Sequence, residues 1–367
     1  MERGHEEFMS GVGRENAQKL RKAIEDINPG RPINLMEVCG THTMTIARSG
    51  IRNMLPKNVR LLSGPGCPVC VTSAGDIDKA IEYSRISGAI LATFGDMVRV
   101  PGSRYSLSQA RAEGSDVRVV YSVYEALKIA EANPGRSVIF ESIGFETTVP
   151  SAADAVKRAE EGGLKNFFVL SLNKTVPQVL ETLSASEDVK IDGFILPGHV
   201  AAIIGERPFR FLAADYGING IISGFDTEDV LLSIAGLLKH IRDKEAVIEN
   251  QYSRVVAEQG NTAALELLYE VFEPCDAAWR GMGTIPGSGL KVREEYAAYD
   301  AERRFGIEAP DAEEPRGCRC GDVLKGLIDP QDCPLFGDKC IPDNPVGPCM
   351  VSSEGSCGIW YRERNAG

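Results

Sequence analysis

The most constraining feature of this sequence is the cysteine-rich stretch near its end. Six of the ten cysteines lie between residues 318 and 357, and proline and glycine recur between them. No apolar run here is long enough for a core helix or strand, so a crosslink must offset the entropy of ordering the stretch. Disulfides, zinc and an iron–sulfur cluster are all compatible with six thiols. Spacing alone does not choose four ligands for a cluster.

Composition and charge exclude several classes of protein. A chain of 367 residues is too long for one ordinary core, which predicts two or three domains. The net charge of −12 argues against a nucleic-acid partner, because phosphate contacts need a basic surface. No apolar run could span a membrane, and the N-terminal residues lack the apolar core of a signal peptide. We therefore expect a cytoplasmic protein, in which cysteine clusters more often bind metals or do redox chemistry than form structural disulfides.

Short apolar runs alternate with helix-like segments through the first 243 residues. This alternation predicts an α/β fold with parallel sheets covered on both faces. The pattern restarts after residue 133, which predicts two doubly wound, Rossmann-like units, 1–133 and 134–243, followed by a helical and cysteine-rich iron–sulfur domain, 244–367. We predict strands at 33–38, 59–62, 89–92, 117–121, 137–143, 167–172, 193–196 and 220–222. We predict helices at 15–27, 122–132, 151–161, 227–241, 246–259, 262–271 and around 292–305, with a glycine-rich loop at 281–289.

Thiol and imidazole groups follow the first two predicted strands. Cys39 and His42 belong to the motif CGTHT, and Cys67 and Cys70 belong to GPGCPVC. In open α/β sheets, ligands bind outside the carboxyl ends of the strands, so we expect these four side chains to converge. A Cys-x-x-Cys pair can form a disulfide or bind a metal. No second Cys-x-x-Cys is present to complete a zinc site, which favours redox or metal-handling chemistry.

Two further motifs follow later predicted strands. They are GFETT, which contains Glu146, and PGHV, which contains His199. Each could be an ordinary turn, and His199 taken alone is better explained as a hydrogen-bonded core histidine. The glycine-rich segments do not match a phosphate-binding P-loop, so a nucleotide function has no support.

Taken together, CGTHT, GPGCPVC, GFETT, PGHV and the cysteine-rich tail resemble the HypD family of [NiFe]-hydrogenase maturation proteins, in the family's order and over essentially the whole chain. The resemblance implies a scaffold on which an Fe(CN)2CO group is assembled, with a HypC-type chaperone and a HypE-type cyanide donor as partners. It implies that Cys39 is the main iron-holding thiolate and that Cys67 and Cys70 supply a second ligand or a redox pair. It further implies that His42, Glu146 and His199 belong to the same site.

The resemblance also implies a [4Fe–4S] cluster in the tail. Its ligands would be Cys318, Cys333, Cys340 and Cys357, with Cys320 and Cys349 as a redox pair. One alternative function is a cluster-dependent thiol–disulfide oxidoreductase that uses Cys67 and Cys70. Another is a zinc-stabilised structural protein, which would leave the thiols at the strand ends unexplained. We expect a monomer when the partners are absent.

Overall fold

The computed structural model describes residues 11–307 and 312–366 and shows an α/β protein, as predicted. Its strands form two parallel sheets and one antiparallel hairpin. The eight predicted strands match the first eight observed ones within two residues at each end. The strands are β1 (Ile33–Glu37), β2 (Val59–Ser63), β3 (Ile90–Thr93), β4 (Val117–Val119), β5 (Val138–Ser142), β6 (Phe167–Ser171), β7 (Gly193–Pro197), β8 (Asn219–Ser223), β9 (Ile248–Asn250), β10 (Phe272–Trp279) and β11 (Gly283–Val292).

Helices fill the connections between the strands. They are α1 (Gly11–Ile27), α2 (Gly40–Arg48), α3 (Ile51–Met54), α4 (Pro68–Val71), α5 (Ala74–Ser84), α6 (Leu107–Ala112), α7 (Val123–Ala132), α8 (Val149–Glu161), α9 (Val176–Ser184), α10 (Gly198–Ile204), α11 (Phe211–Ala214), α12 (Thr227–Asp243), α13 (Thr262–Val271), α14 (Ala301–Phe305), α15 (Cys320–Leu324), α16 (Pro348–Val351) and α17 (Ser356–Ala366). Short 3-10 helices lie at Gly95–Arg99, Arg207–Phe209, Glu294–Tyr299 and Pro330–Asp332. The predictions at 15–27, 122–132, 151–161, 227–241 and 262–271 are confirmed by α1, α7, α8, α12 and α13.

The five-stranded sheet has the order β2-β1-β7-β8-β9, with every pair parallel. Its side chains alternate between two cores, as the pleat of a strand requires. Leu35 and Ile195 pack in one core with α1, α2 and α12. Met36 and Leu196 pack in the opposite core, which also contains five of the tail cysteines and Leu324. The cysteine-rich tail is therefore packed directly on this sheet.

The four-stranded sheet has the order β4-β3-β5-β6 and is also parallel. Phe140 and Phe167 face a core shared with α7, α8 and α13. Ile139 and Leu170 face the other core, against α5, α6 and α14. Both faces of this sheet are buried, which explains why its strands read as continuous apolar runs.

The predicted division after residue 133 does not separate the two sheets. The chain makes β1 and β2, crosses into the second sheet for β3 to β6, and returns to the first sheet for β7 to β9. Residues 1–133 and 134–243 therefore each contribute strands to both sheets. Hydrophobic periodicity locates strands but carries no information on which strands pair, so the sequence could not reveal this crossover.

The observed elements of the third predicted segment, residues 244–367, also differ from the predicted ones. The helix predicted at 246–259 is wrong, because residues 248–250 form β9 and extend the five-stranded sheet beside β8. Pairing with an exposed sheet edge overrides helical periodicity here. The predicted glycine-rich loop at 281–289 lies largely in β11 of the hairpin, and the helix predicted around 292–305 is divided between Glu294–Tyr299 and α14.

No helix among the described residues is long and apolar enough to cross a membrane. The prediction that the chain lacks a signal peptide concerns mainly residues 1–10, which lie outside the described residues.

The two loops that follow β1 and β2 pack against each other through Gly66. A Cβ atom at this position would overlap the backbone of Val38 and Cys39, and the Gly40 N–H donates to the Gly66 carbonyl (3.2 Å). We expect Gly66→Ala to lower the free energy of unfolding by about 1–3 kcal/mol, because the added methyl must push two backbones apart. Anaerobic urea denaturation measures this. Gly135→Ala is the matched control, since a Cβ there meets nothing within 4 Å. Equal loss in both variants would contradict the prediction.

Candidate functional site

A cleft of about 470 Å³ opens between the carboxyl edges of the two sheets. It lies where the strand order of the five-stranded sheet reverses, between β1 and β7, the usual position of ligand sites in such sheets. Cys39, Gly66 and His199 line the side formed by the loops after β1, β2 and β7. Thr147 and Thr148, which follow β5 of the other sheet, line it as well. Residues from both sheets thus meet in one cleft.

Cys39 is a free thiol at the start of α2 and is only 8% exposed. Burial, with a smaller contribution from the nearby Glu354 carboxylate, raises its pKa to about 12. The thiol is therefore protonated at neutral pH. A metal cation bound at this sulfur would displace the proton and stabilise the thiolate.

Cys67 and Cys70 form a disulfide in this structure. Cys67 caps α4, and its sulfur accepts a hydrogen bond from the Cys70 N–H (3.2 Å). Both residues are buried, while Pro68 between them lines the cleft. The pair thus lies behind the cleft wall. In this oxidised form neither sulfur is a free thiolate, so reduction must precede any metal binding by Cys70.

The two predicted histidines lie at different depths. His199 lines the cleft, whereas His42 is fully buried and its Nε2–H donates to the Gly224 carbonyl (2.9 Å). Burial lowers the pKa of His42 to about 4 and also lowers that of His199, so both imidazoles are neutral at pH 7. His42 therefore supports the cleft from behind, and His199 offers a polar group to its contents.

Glu146 is buried next to the cleft. Its Oε1 accepts a hydrogen bond from the Val176 N–H (3.0 Å), and burial raises its pKa to about 7. Its neighbours Phe145, Thr147 and Thr148 line the cleft, whereas Glu146 is turned toward the first turn of α9. Glu146 thus ties the GFETT loop to a helix.

All the tail cysteines line a single cavity, together with the apolar side chains of Leu335, Phe336 and Met350. Every one except the first is buried. The cysteines are Cys318, Cys320, Cys333, Cys340, Cys349 and Cys357.

The thiols of this cavity act on one another electrostatically. Burial raises the pKa of Cys318, and charge on Cys320 and Cys357 raises it further. Burial also raises the pKa of Cys340, again with a contribution from Cys357. A hydrogen bond between Cys320 and Cys349 lowers the pKa of Cys320 and raises that of Cys349. Cys349 is thus hydrogen-bonded to Cys320, and it is also hydrogen-bonded to Cys357.

The donors of this cavity are thiols surrounded by apolar side chains. Four thiolates are the usual ligand set of a [4Fe–4S] cluster. The six thiols that line the cavity therefore include enough ligands for such a cluster and leave two over.

Comparison with known proteins identifies the family. The family model described as "HypD: Hydrogenase formation hypA family" matches residues 15–364. This chain belongs to the HypD family. It is 45% identical to the hydrogenase maturation factor HypD of Azotobacter vinelandii, over 98% of this chain and 97% of the relative. It is 42% identical to the hydrogenase maturation factor HypD of Escherichia coli K12, over 96% of this chain and 93% of the relative. A putative hydrogenase expression/formation protein of Methanocaldococcus jannaschii is also 42% identical, over 94% and 97%.

Two acidic residues of the site in this HypD-family chain were missed by sequence reasoning. Glu37 is buried under Cys39, where its carboxylate accepts hydrogen bonds from the Thr43 hydroxyl (2.6 Å) and the Cys39 N–H (3.2 Å). Burial raises its pKa to about 8. The sequence did contain a signal for Glu37, since an acidic residue in an otherwise apolar strand is unusual. Glu354 lines the cleft and accepts a hydrogen bond from the Thr41 hydroxyl (3.2 Å), and no pattern in the sequence indicated it.

The charge on the Glu354 carboxylate disfavours ionisation of the Cys39 thiol. Removing that charge should therefore lower the pKa of Cys39. Glu354→Gln keeps an oxygen acceptor for Thr41 but removes the charge. We expect the pKa of Cys39 to fall and its alkylation by iodoacetamide between pH 8 and 10 to become about two- to tenfold faster. Peptide mass spectrometry of metal-free protein measures the rate at Cys39.

Glu363→Gln in α17 is the matched control and should leave the rate at Cys39 unchanged, because Glu363 is not among the main groups that shift the pKa of Cys39. An equal rate in Glu354→Gln and in the unsubstituted protein would show that burial alone sets the pKa of Cys39.

Proposed function

We propose that this chain acts in hydrogenase maturation as the scaffold that holds iron while an Fe(CN)2CO group is assembled on it. The observation that carries the proposal is the free thiol of Cys39 in a cleft lined by both sheets. The printed names of the relatives, hydrogenase maturation factors, support the same process. The iron group is the cargo of this scaffold and leaves with its recipient.

Cys39 supplies the thiolate for the iron. Iron that carries cyanide and CO is a soft centre, and thiolate is a suitable ligand for it. The cleft also presents polar donors, because the neutral His199 carries one N–H and Thr147 and Thr148 carry hydroxyls. The His199 N–H and the Thr147 hydroxyl can donate hydrogen bonds to cyanide nitrogens, whereas the Thr148 hydroxyl already donates to the Phe145 carbonyl (3.3 Å). The open side of the cleft leaves room for a HypC-type chaperone to add a second cysteine and for a HypE-type donor to deliver cyanide.

The tail cavity is the proposed site of a resident [4Fe–4S] cluster. The family resemblance implies Cys318, Cys333, Cys340 and Cys357 as its ligands and leaves Cys320 and Cys349, which are hydrogen-bonded to each other, as the redox pair. When bound, such a cluster supplies single electrons.

The Cys320–Cys349 pair is suited to reduce the Cys67–Cys70 disulfide. The helices that carry the pair, α15 and α16, both pack against α4. One thiolate of the pair attacks a sulfur of the disulfide, a mixed disulfide forms as the Cys67–Cys70 bond breaks, and the leaving thiolate takes a proton. The second thiol of the pair then loses its proton and attacks the mixed disulfide, whose S–S bond breaks as the Cys320–Cys349 disulfide forms and the second cysteine of the Cys67–Cys70 pair leaves as a thiolate that takes up this proton. Two electrons have moved, and Cys70 is freed as a possible second iron ligand.

A thiol–disulfide oxidoreductase is the second candidate function. The observation in its favour is the Cys67–Cys70 disulfide behind the cleft wall. Such an enzyme needs the disulfide and an electron source, and it does not need Cys39. Variants at Cys39 therefore separate the two functions.

We expect Cys39→Ser to abolish the infrared bands of iron-bound cyanide and CO in protein co-expressed with the other maturation proteins, because the main thiolate ligand is lost. The measurement is the infrared spectrum of the anaerobic protein, with iron and sulfide quantified in the same sample. Iron and sulfide of the tail should stay at about four each per chain.

Cys275→Ser is the matched control, since Cys275 is a free cysteine of the hairpin outside both cysteine groups. It should keep the bands. Bands that persist in Cys39→Ser would refute the scaffold role of Cys39. If the unsubstituted protein shows tail iron but no bands, the oxidoreductase is favoured, and zinc in place of iron would refute both.

Substitution within the tail should separate cluster ligands from the redox pair. We expect Cys333→Ser to lose most of the bound iron and sulfide, because one of the four ligands is removed. We expect Cys349→Ser to keep them but to leave Cys67–Cys70 oxidised after anaerobic reduction. Metal analysis measures the first effect, and thiol-specific mass labelling of Cys67 and Cys70 measures the second.

The same iron content in both variants, whether low or high, would refute the assignment of the quartet. Rapid reduction of Cys67–Cys70 in Cys349→Ser would refute the exchange step while leaving the cluster assignment intact.

A further inference from the structure

Two histidines of the cleft region stack on opposite sides of one aromatic residue, Phe225. The His199 ring lies 3.8 Å from the Phe225 ring, centroid to centroid, with 21° between the planes. The His42 ring lies 4.8 Å from it, with 26° between the planes. Phe225 belongs to the loop between β8 and α12, a segment that the proposed function leaves without a role.

Phe225 is itself held tightly. The ring of Tyr252 meets it edge-on, with centroids 5.9 Å apart, and the Arg254 guanidinium covers Tyr252 at 4.5 Å. Arg254 also forms an ion pair with Asp229 of α12. The Phe225 carbonyl accepts a hydrogen bond from the Thr45 hydroxyl (2.8 Å). Both the ring and the backbone of Phe225 are therefore fixed by neighbouring elements.

Little space is left around this stack, because two of the neighbouring positions accept only glycine. A Cβ on Gly198, the residue before His199, would lie 2.9 Å from the Tyr252 ring. A Cβ on Gly224 would lie 2.8 Å from the same ring. The loops after β7 and β8 thus approach Tyr252 as closely as their backbones allow, which leaves little freedom for the rings between them.

The two histidines differ in what else holds them. His42 is anchored by its hydrogen bond to Gly224, which fixes the proton on Nε2. The side chain of His199 makes no hydrogen bond within the described part of the chain, and its ring stacks on the ring of Phe225. Stacking therefore sets the orientation of the His199 ring in the cleft, and stacked aromatic pairs prefer defined geometries.

We propose that Phe225 is a positioning residue that holds the His199 imidazole in the cleft as an oriented hydrogen-bond donor to a ligand of the iron on Cys39. The stack is present in this chain without any iron or partner. The hydrogen bond to an iron-bound ligand, in contrast, rests on the proposed function. The class of ligand is a small anion with an exposed lone pair, such as the nitrogen of iron-bound cyanide. Phe225 acts through His199 and does not itself touch the iron.

The test compares Phe225→Leu, which removes the ring but keeps apolar bulk, with Phe225→Tyr, which restores a ring. The chain has four histidines, so proton NMR of the imidazole Cε1–H groups gives few signals to assign. We expect the His199 and His42 signals to lie upfield of free imidazole, to move downfield in Phe225→Leu and to return in Phe225→Tyr. Phe168→Leu is the control, because the Phe168 ring meets the Phe305 ring edge-on in a core of the four-stranded sheet.

The second readout is the rate at which the infrared bands of iron-bound cyanide and CO appear in assembly mixtures. Phe225→Leu should slow this about two- to tenfold, the effect of one lost hydrogen bond, while Phe225→Tyr and Phe168→Leu stay near the unsubstituted rate. Histidine signals that do not move in Phe225→Leu would refute the positioning role. Signals that move with no change in rate would refute the hydrogen bond to the ligand. Absence of bands in the unsubstituted protein would refute the proposed function and leave the NMR test of positioning intact.

Discussion

The pairing of β1 with β7 is the constraint on which the rest of the molecule depends. These strands are joined by more than 150 residues, yet Leu35 lies opposite Gly193 and Glu37 opposite Ile195. Because the strand order reverses between them, their loops diverge and leave a crevice at their carboxyl ends. Cys39 follows one strand and His199 follows the other. The cleft is thus a consequence of strand order, and the intervening sheet supplies its far wall through the loop after β5.

The cysteine-rich tail is part of the same core and not a separate appendage. Five of its cysteines pack in one cluster with Met36 and Phe194 of the five-stranded sheet and with Cys67 and Cys70. Glu354, three residues before Cys357, reaches the cleft and its acidic group bonds to Thr41. The thiol-lined cavity and the wall of the cleft are therefore joined by a short segment of chain.

Much of this architecture could be predicted from the sequence, and the limits have physical causes. Apolar runs located eight strands, and the motif at the end of the first marked Cys39, because strand ends at one sheet edge must lie together. The position of His199 in the cleft came only from the family resemblance, since its motif alone suggested a core histidine. Pairing could not be predicted, since periodicity does not reveal that residues 90–171 form a separate sheet. The burial of His42 could not be predicted either, because it depends on Gly224 and Phe225, which are more than 180 residues away in the chain. Side chains that act across such separations leave no local signal.

Burial gives the cleft a common electrostatic character. It raises the pKa values of Cys39, Glu37 and Glu146 to about 12, 8 and 7, and it lowers that of His42 to about 4. Each shift favours the neutral form of its group, so Glu354 is the acidic group of the cleft lining that acts on Cys39 by its charge. A bare ferrous ion brings two positive charges, which are costly to bury without compensation. Ferrous iron with two cyanides and one CO has no formal charge, and one thiolate then adds a single negative charge. For the proposed cargo, the neutral forms of the buried groups around Cys39 therefore favour the finished group over the naked ion.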